Sequence, residues 1–242
     1  MIEIQNLTKR FGAKVAVDSL NLSVDRGEFF CFLGPNGAGK TTTIKMLTGL
    51  LKPSDGIAML GGVDIQREPV AAKSLLGYVP DTPFLYEKLT GREFMRFVAG
   101  LYQLPQEVLN GTCEHLLELF EVRHVGDQLI EHYSHGMRQK LSFAACFLHE
   151  PKIVIVDEPW VGLDPKNIRF VKDYLKKRTN EGLTVFMSTH SLSVIEDVAD
   201  RIGIIYNGKL RHTGTLKEIL ALSRNPGSLE DVFLELTRDD AE

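Results

Sequence analysis

Hydrophobic positions change their period several times along this chain. Near the N-terminus Ile2, Ile4 and Leu7 alternate with polar residues, as do Val15 and Val17 and then Leu20, Leu22 and Val24. A period of two predicts two or three antiparallel strands, with residues 10–14 as a turn between them. After Glu28, residues 29–33 make the 28–33 stretch apolar and aromatic enough for a buried strand, and Ile44, Leu47 and Leu51 follow at helical spacing. After a turn at 53–56 comes a short strand, 57–60. From about 83 to 150 the period is helical: Phe94, Phe97, Val98 and Leu101 mark one apolar face, Leu116, Leu117, Leu119 and Phe120 a second, and Leu141, Ala144, Ala145 and Leu148 a third. These stripes read as core packing. Buried strands return at 153–156, 184–187 and 202–205, the last followed by the hairpin turn Asn207-Gly208. Residues 225–227 break the chain, Ser228 can cap a last helix with Leu229, Val232, Phe233 and Leu236 on its face, and 238–242 read as a frayed tail. A parallel sheet interrupted by a helical insert follows from the pattern alone.

The turn between the 28–33 strand and the next helix reads Gly34-Pro35-Asn36-Gly37-Ala38-Gly39-Lys40-Thr41-Thr42 and fits G-x-x-x-x-G-K-[ST]. Small residues let successive backbone N–H groups turn inward around phosphate oxygens, and the helix N-terminus adds partial positive charge. Lys40 can reach β- and γ-phosphates, and the Thr41 hydroxyl can ligate Mg²⁺. The strand 153–156 ends in Asp157 and Glu158: Asp157 is placed to hold Mg²⁺, and Glu158 to polarise an attacking water. Parallel-sheet logic sets these two strand ends side by side at a ligand crevice, with His190, at the tip of the 184–187 strand, near the γ-phosphate. Ser134, in the N-cap position of the 141–148 helix, and Gly136, which lets a ligand approach the backbone, offer a second phosphate surface. One mononucleotide rarely needs two such surfaces from one chain.

Composition narrows the functional classes. The net charge of −4 gives no basic field for nucleic acid or anionic lipid. Lys172, Lys176, Lys177 and Arg178 read as a solvated helix face. No apolar run approaches the ~20 residues that span a bilayer, and the N-terminus lacks the pattern of a secretion signal. Cys31, Cys113 and Cys146 are scattered and read as buried thiols in a reducing compartment. His132 and His135 have no third ligand at metal spacing nearby.

Taken as an ordered set, these motifs resemble the nucleotide-binding subunit of an ABC transporter over residues 1–237. Residues 34–42 match the family's Walker A, 153–158 its Walker B with the catalytic glutamate, 162–164 its D-loop and His190 its switch histidine. Phe11 falls where the family stacks an aromatic on adenine. Two segments depart from the commonest pattern. Residues 133–137 read Tyr-Ser-His-Gly-Met where the signature is usually Leu-Ser-Gly-Gly-Gln, and Asp81 replaces the Q-loop glutamine. Both departures resemble the branch that pairs with ABC-2-type export permeases. The resemblance implies an α/β P-loop NTPase core with a mixed, largely parallel sheet, an N-terminal antiparallel β subdomain and an inserted α-helical subdomain. It divides a single domain, 1–237, into core (1–82 and 151–224), helical insert (83–150) and C-terminal helix (225–237). It implies ATP and Mg²⁺ as ligands, with the 34–42 loop, Phe11, Ser134, Gly136 and Asp164 on the nucleotide, Thr41, Asp81 and Asp157 on the metal, and Lys40, Glu158 and His190 in hydrolysis. It implies head-to-tail pairing with a second copy or a related ATPase subunit, so that Ser134 of one chain meets the nucleotide of the other. A membrane permease would dock near Asp81 and the insert, placing the chain in the cytoplasm on the inner face of the cell membrane. An ATP-driven regulator of the cell envelope uses the same dimer, and the sequence leaves that alternative open.

Overall fold

The computed structural model describes residues 1–160, 162–222 and 228–237, and only the backbone of 106–110. The expected chain break at 225–227 and the expected tail at 238–242 lie outside the described residues. Two sheets organise the chain. The smaller is antiparallel and joins β1 (Ile2–Phe11), β2 (Lys14–Val24), β4 (Asp55–Leu60) and β5 (Val63–Asp64) in the order β2-β1-β4-β5. The larger holds β3 (Phe29–Leu33), β6 (Leu76–Val79), β7 (Ile153–Asp157), β8 (Thr184–Thr189), β9 (Arg201–Tyr206) and β10 (Lys209–Gly214) in the order β10-β9-β3-β8-β7-β6. All its pairs are parallel except β9 with β10, which close the hairpin expected at Asn207-Gly208. The strands carrying the loop lysine and the acidic tip are not neighbours: β8 lies between β3 and β7, so the two ends converge across an intervening strand rather than side by side.

The continuous apolar runs of β3, β7 and β8 have one cause. Both faces of the sheet are covered, so every position is buried. Phe29, Cys31 and Leu33 point into one core with Val154, Val156, Val185 and Met187, while Phe30 and Phe32 point into another with Ile153, Ile155 and Phe186. The second core also takes β1, β2 and α1 (Lys40–Leu47), through Ile44, Met46 and Leu47. Leu51, expected on that helix, lies beyond its end and packs half-buried against the same core.

The first core is built with helices. After α2 (Pro69–Ser74) and β6 come α3 (Gly91–Leu101), α4 (Gln106–Leu119), 3₁₀ turns at Arg123–Val125 and Ile130–His132, and α5 (His135–Cys146). Beyond β7 follow α6 (Pro165–Asn180), α7 (Leu192–Val198), α8 (Leu216–Leu220) and α9 (Leu229–Leu236). Thr90 begins α3 with a reciprocal cap to Glu93, and Ser228 begins α9 in the same way with Asp231. All three cysteines are free and buried.

Two surface expectations need correction. The α3 stripe is not wholly core: Phe94 is buried, but Phe97 is 40% and Leu101 65% exposed. Phe97 meets the exposed Tyr86 ring edge-on, and both rings, like Phe84 nearby in sequence, stay open to solvent among the described residues. The α6 lysines are not simply solvated either. Lys172 pairs with Asp197 and Lys176 with Asp200, while Arg178 lies over the Phe147 ring. No helix among the described residues is long and apolar enough to cross a membrane.

Candidate functional site

The 34–42 loop takes its shape from what surrounds each glycine. A side chain on Gly34 would meet the Ile205 carbonyl at 2.5 Å, and one on Gly39 (φ 111°) the Ala16 carbonyl at 2.7 Å. Gly37 (φ 81°) has open space where a side chain would project. The loop therefore packs its back against β2 and β9 and leaves its inner curve clear. Lys40, at the start of α1, is 6% exposed, and its Nζ donates to the carbonyls of Gly34 (2.6 Å) and Pro35 (3.3 Å).

A cavity of about 350 Å³ opens on this loop. Pro35, Asn36, Gly37, Gly39, Lys40, Thr41 and Thr42 form its floor, Phe11 and Lys14 one side, and Asp81 and Glu158 the other. Ala38 is buried behind the loop. Phe11 stands half exposed at the end of β1, beside the turn at Gly12. Asp81 is exposed and accepts the Thr82 N–H at 2.7 Å.

Asp157 and Glu158 diverge, as neighbours on a strand tip must. Asp157 is fully buried and accepts from the Ser188 hydroxyl and from Thr41. Burial raises its pKa, against the lowering effect of those two bonds. Its second oxygen has no hydrogen-bond partner. Glu158 adopts φ 46°, uncommon outside glycine, and its N–H donates to the Ser188 carbonyl. That turn sets one carboxylate oxygen 3.5 Å from Lys40 Nζ and the other 2.9 Å from His190 Nδ1. Lys40, Glu158 and His190 thus form one line from loop to strand tip, with His190 exposed to solvent.

The residues present fit a Mg²⁺-nucleotide. Among the described residues no three acidic, histidine or cysteine side chains gather into a metal cage. A buried carboxylate oxygen without a partner beside the Thr41 hydroxyl suits an ion that takes one or two protein ligands and draws the rest from phosphates and water.

Ser134, Gly136 and Asp164 do not line this cavity. Ser134 is exposed and caps α5, accepting the Met137 N–H at 3.2 Å. The space above Gly136 is taken by the Gly162 carbonyl, 2.8 Å from where a side chain would begin. Close packing of the D-loop backbone, rather than ligand approach alone, therefore demands glycine there. Asp164 caps α6, accepting the Asn167 N–H at 2.8 Å and its side-chain amide at 2.7 Å. These bonds hold its pKa below the usual carboxylate value. Arg138 and Gln139 continue the Ser134 segment, and nothing in the sequence assigns either a role of its own. Gln139 is fully buried with one amide oxygen unpartnered, a feature that only packing reveals.

The profile of the ABC transporter family matches residues 17–161. A probable multidrug ABC transporter ATP-binding protein, YbhF of Escherichia coli (strain K12), is 37% identical over 99% of this chain. The chain spans 42% of that relative's length. A solved structure described as an ATP-binding subunit of an ABC transporter superposes with a TM-score of 0.91 at 33% identity, covering 98% of this chain and 100% of that one. The dimeric post-hydrolysis structure of the ATP-binding cassette MJ0796, bound to ADP and phosphate, gives a TM-score of 0.82 at 25% identity, covering 89% and 99%. With Glu158 at the wall of the loop cavity, His190 in contact with that carboxylate, and a family match over more than half its length, the chain belongs to the ABC transporter family, among its ATP-binding proteins.

Proposed function

We propose that this chain hydrolyses ATP to ADP and phosphate as the motor subunit of a transporter, driving a separate membrane permease in export. The observation that carries this is Glu158. It is held between Lys40 and His190 at the wall of the loop cavity, while Ser134 caps a helix elsewhere on the chain. The first arrangement suits activation of a water; the second leaves a phosphate surface for a neighbour to use.

In this reading the backbone of 34–42 and Lys40 grip the phosphates, and Phe11 lies against adenine. Thr41 and Asp157 hold Mg²⁺, with Asp81 on its water shell; the ion neutralises phosphate charge when bound. Glu158 accepts the proton of the attacking water, and His190 fixes that carboxylate. Ser134, Gly136 and Asp164 face the nucleotide of a second copy or a related ATPase subunit in a two-fold arrangement. The division at 83 and 150 separates the insert that meets partners from the core that grips nucleotide.

The permease fits the groove beside Asp81, a cavity of about 910 Å³ with Phe84, Leu85, Phe94 and Tyr102 on its walls. This docking would hold the chain on the inner face of the cell membrane. The test uses purified chain. Glu158→Gln should bind ATP, hydrolyse it very slowly and accumulate dimers by light scattering, and Lys40→Ala should lose nucleotide binding. A Glu158→Gln chain that turns over ATP at the parent rate removes Glu158 from the chemistry. Tagged chain recovered from detergent-solubilised membranes of its host should bring a polytopic permease with it.

A further inference from the structure

We propose that Arg138 is a positioning residue that ties the Ser134 surface to the segment walling the apolar groove, so that the two move together. This rests on the dimeric, permease-driving function above. Arg138 lies on the first turn of α5, and its guanidinium reaches three acceptors. Nε donates to the Tyr133 carbonyl (3.2 Å), Nη2 to the Glu131 carbonyl (3.2 Å) and Nη1 to the Glu87 carboxylate (2.6 Å). Two of these belong to the turn that delivers Ser134; the third lies across from it, on the segment leading into α3. A planar fork of donors can hold all three at once, and a lysine ammonium lacks that fixed geometry.

The two segments are also laced by backbone. Ile130 N–H donates to Leu89 O (2.9 Å), Glu131 N–H to Glu87 O (3.1 Å), and Lys88 pairs with Glu131 at 2.6 Å. Thr90 and Leu129 complete an antiparallel bridge. Glu87 directly follows Tyr86, whose ring meets Phe97 edge-on at 5.0 Å, and Phe84 and Leu85 line the groove. Tyr133 is pinned from its far end, its hydroxyl donating to Val125 O at 2.7 Å. Ser134 can therefore reorient only with the carbonyl of Tyr133, and that carbonyl is shared with Glu87 through Arg138. An exposed ion pair alone would be worth little; here the same guanidinium also secures two backbone carbonyls beside the functional serine.

The test uses full-length chain carrying Glu158→Gln, in which ATP-driven dimers accumulate. Adding Arg138→Ala should weaken dimerisation about tenfold, the scale of losing charge-assisted bonds, while ADP affinity, set by the 34–42 loop, stays within about twofold of the parent. Arg138→Lys should not restore dimerisation. Amide exchange reads the connection itself. ATP should slow exchange at residues 84–90 in the parent dimer and leave it unchanged in the Arg138→Ala dimer, formed at higher protein concentration. Slowing retained in Arg138→Ala overturns the link, and dimerisation equal to the parent overturns the positioning role. A Glu158→Gln parent that never dimerises with ATP overturns the functional reading, and this inference with it.

Discussion

Replacing Glu158 with glutamine should tighten nucleotide binding as well as stop hydrolysis. Glu158 lies 3.5 Å from Lys40 Nζ, with side chains 16% and 6% exposed. At an effective dielectric of about 20, two unit charges at that distance attract by about 5 kcal/mol. Most of this is offset by the desolvation of both groups and by the water that reaches Glu158. A net cost of about 1 kcal/mol remains for a phosphate that must share Lys40 with a carboxylate. Glutamine keeps the shape and removes the charge, so the affinity for ADP should rise about fivefold. ADP is the appropriate ligand because it is not hydrolysed, so trapping of unreacted ATP cannot imitate the effect. A fluorescence titration at protein concentrations too low for dimers reads the affinity directly. Equal or weaker ADP binding by Glu158→Gln would refute the competition between Glu158 and phosphate for Lys40.

Three further outcomes are expected. Gly136→Ala forces a side chain to within 2.8 Å of the Gly162 carbonyl; strain of about 1–3 kcal/mol should lower the melting temperature by several degrees and weaken ATP-driven dimerisation, with ADP affinity unchanged. Tyr133→Phe removes one of the two hydrogen bonds that the Val125 carbonyl accepts, the other coming from the Gln128 N–H, and should cost about 1 kcal/mol in urea denaturation. Asp157 has a folded-state pKa above its unfolded value, so the folded chain binds the extra proton and stability from this group falls as pH rises through the folded pKa. Asp157→Asn should therefore raise the melting temperature in metal-free buffer at neutral pH and flatten its decline with rising pH. The same variant should lose the further stabilisation that Mg²⁺ adds to nucleotide; a drop in metal-free stability would contradict the burial argument.

What could be read from the sequence was local. The 34–42 loop was legible because each residue type answers to a separate need of a phosphate, and β3, β7 and β8 because strands buried on both faces have no polar side. Strand order was not, since no local pattern records that β8 inserts between β3 and β7. Phe97 and Leu101 share a period with Phe94, and periodicity identifies an apolar face without saying what covers it. The left-handed backbone at Glu158 has no signature in a glutamate. Gly136 was read for ligand approach, and its neighbour Gly162 emerged only with the fold. The acceptors of Arg138 come from three separate positions, Glu87, Glu131 and Tyr133, which only the fold brings around it.

The central sheet also works as a partition. α1 and the antiparallel sheet that carries Phe11 rest on one side of it; α3, α4 and α5 rest on the other. Only the strands themselves, with alternate side chains in each core, belong to both. The groove proposed for the permease nevertheless touches both sides, with Lys45 and Thr48 from α1 and its end facing Phe94 and Ser142 of the insert. In the proposed transporter a partner seated there would bear at once on the helix behind the phosphate loop and on the insert that carries Ser134.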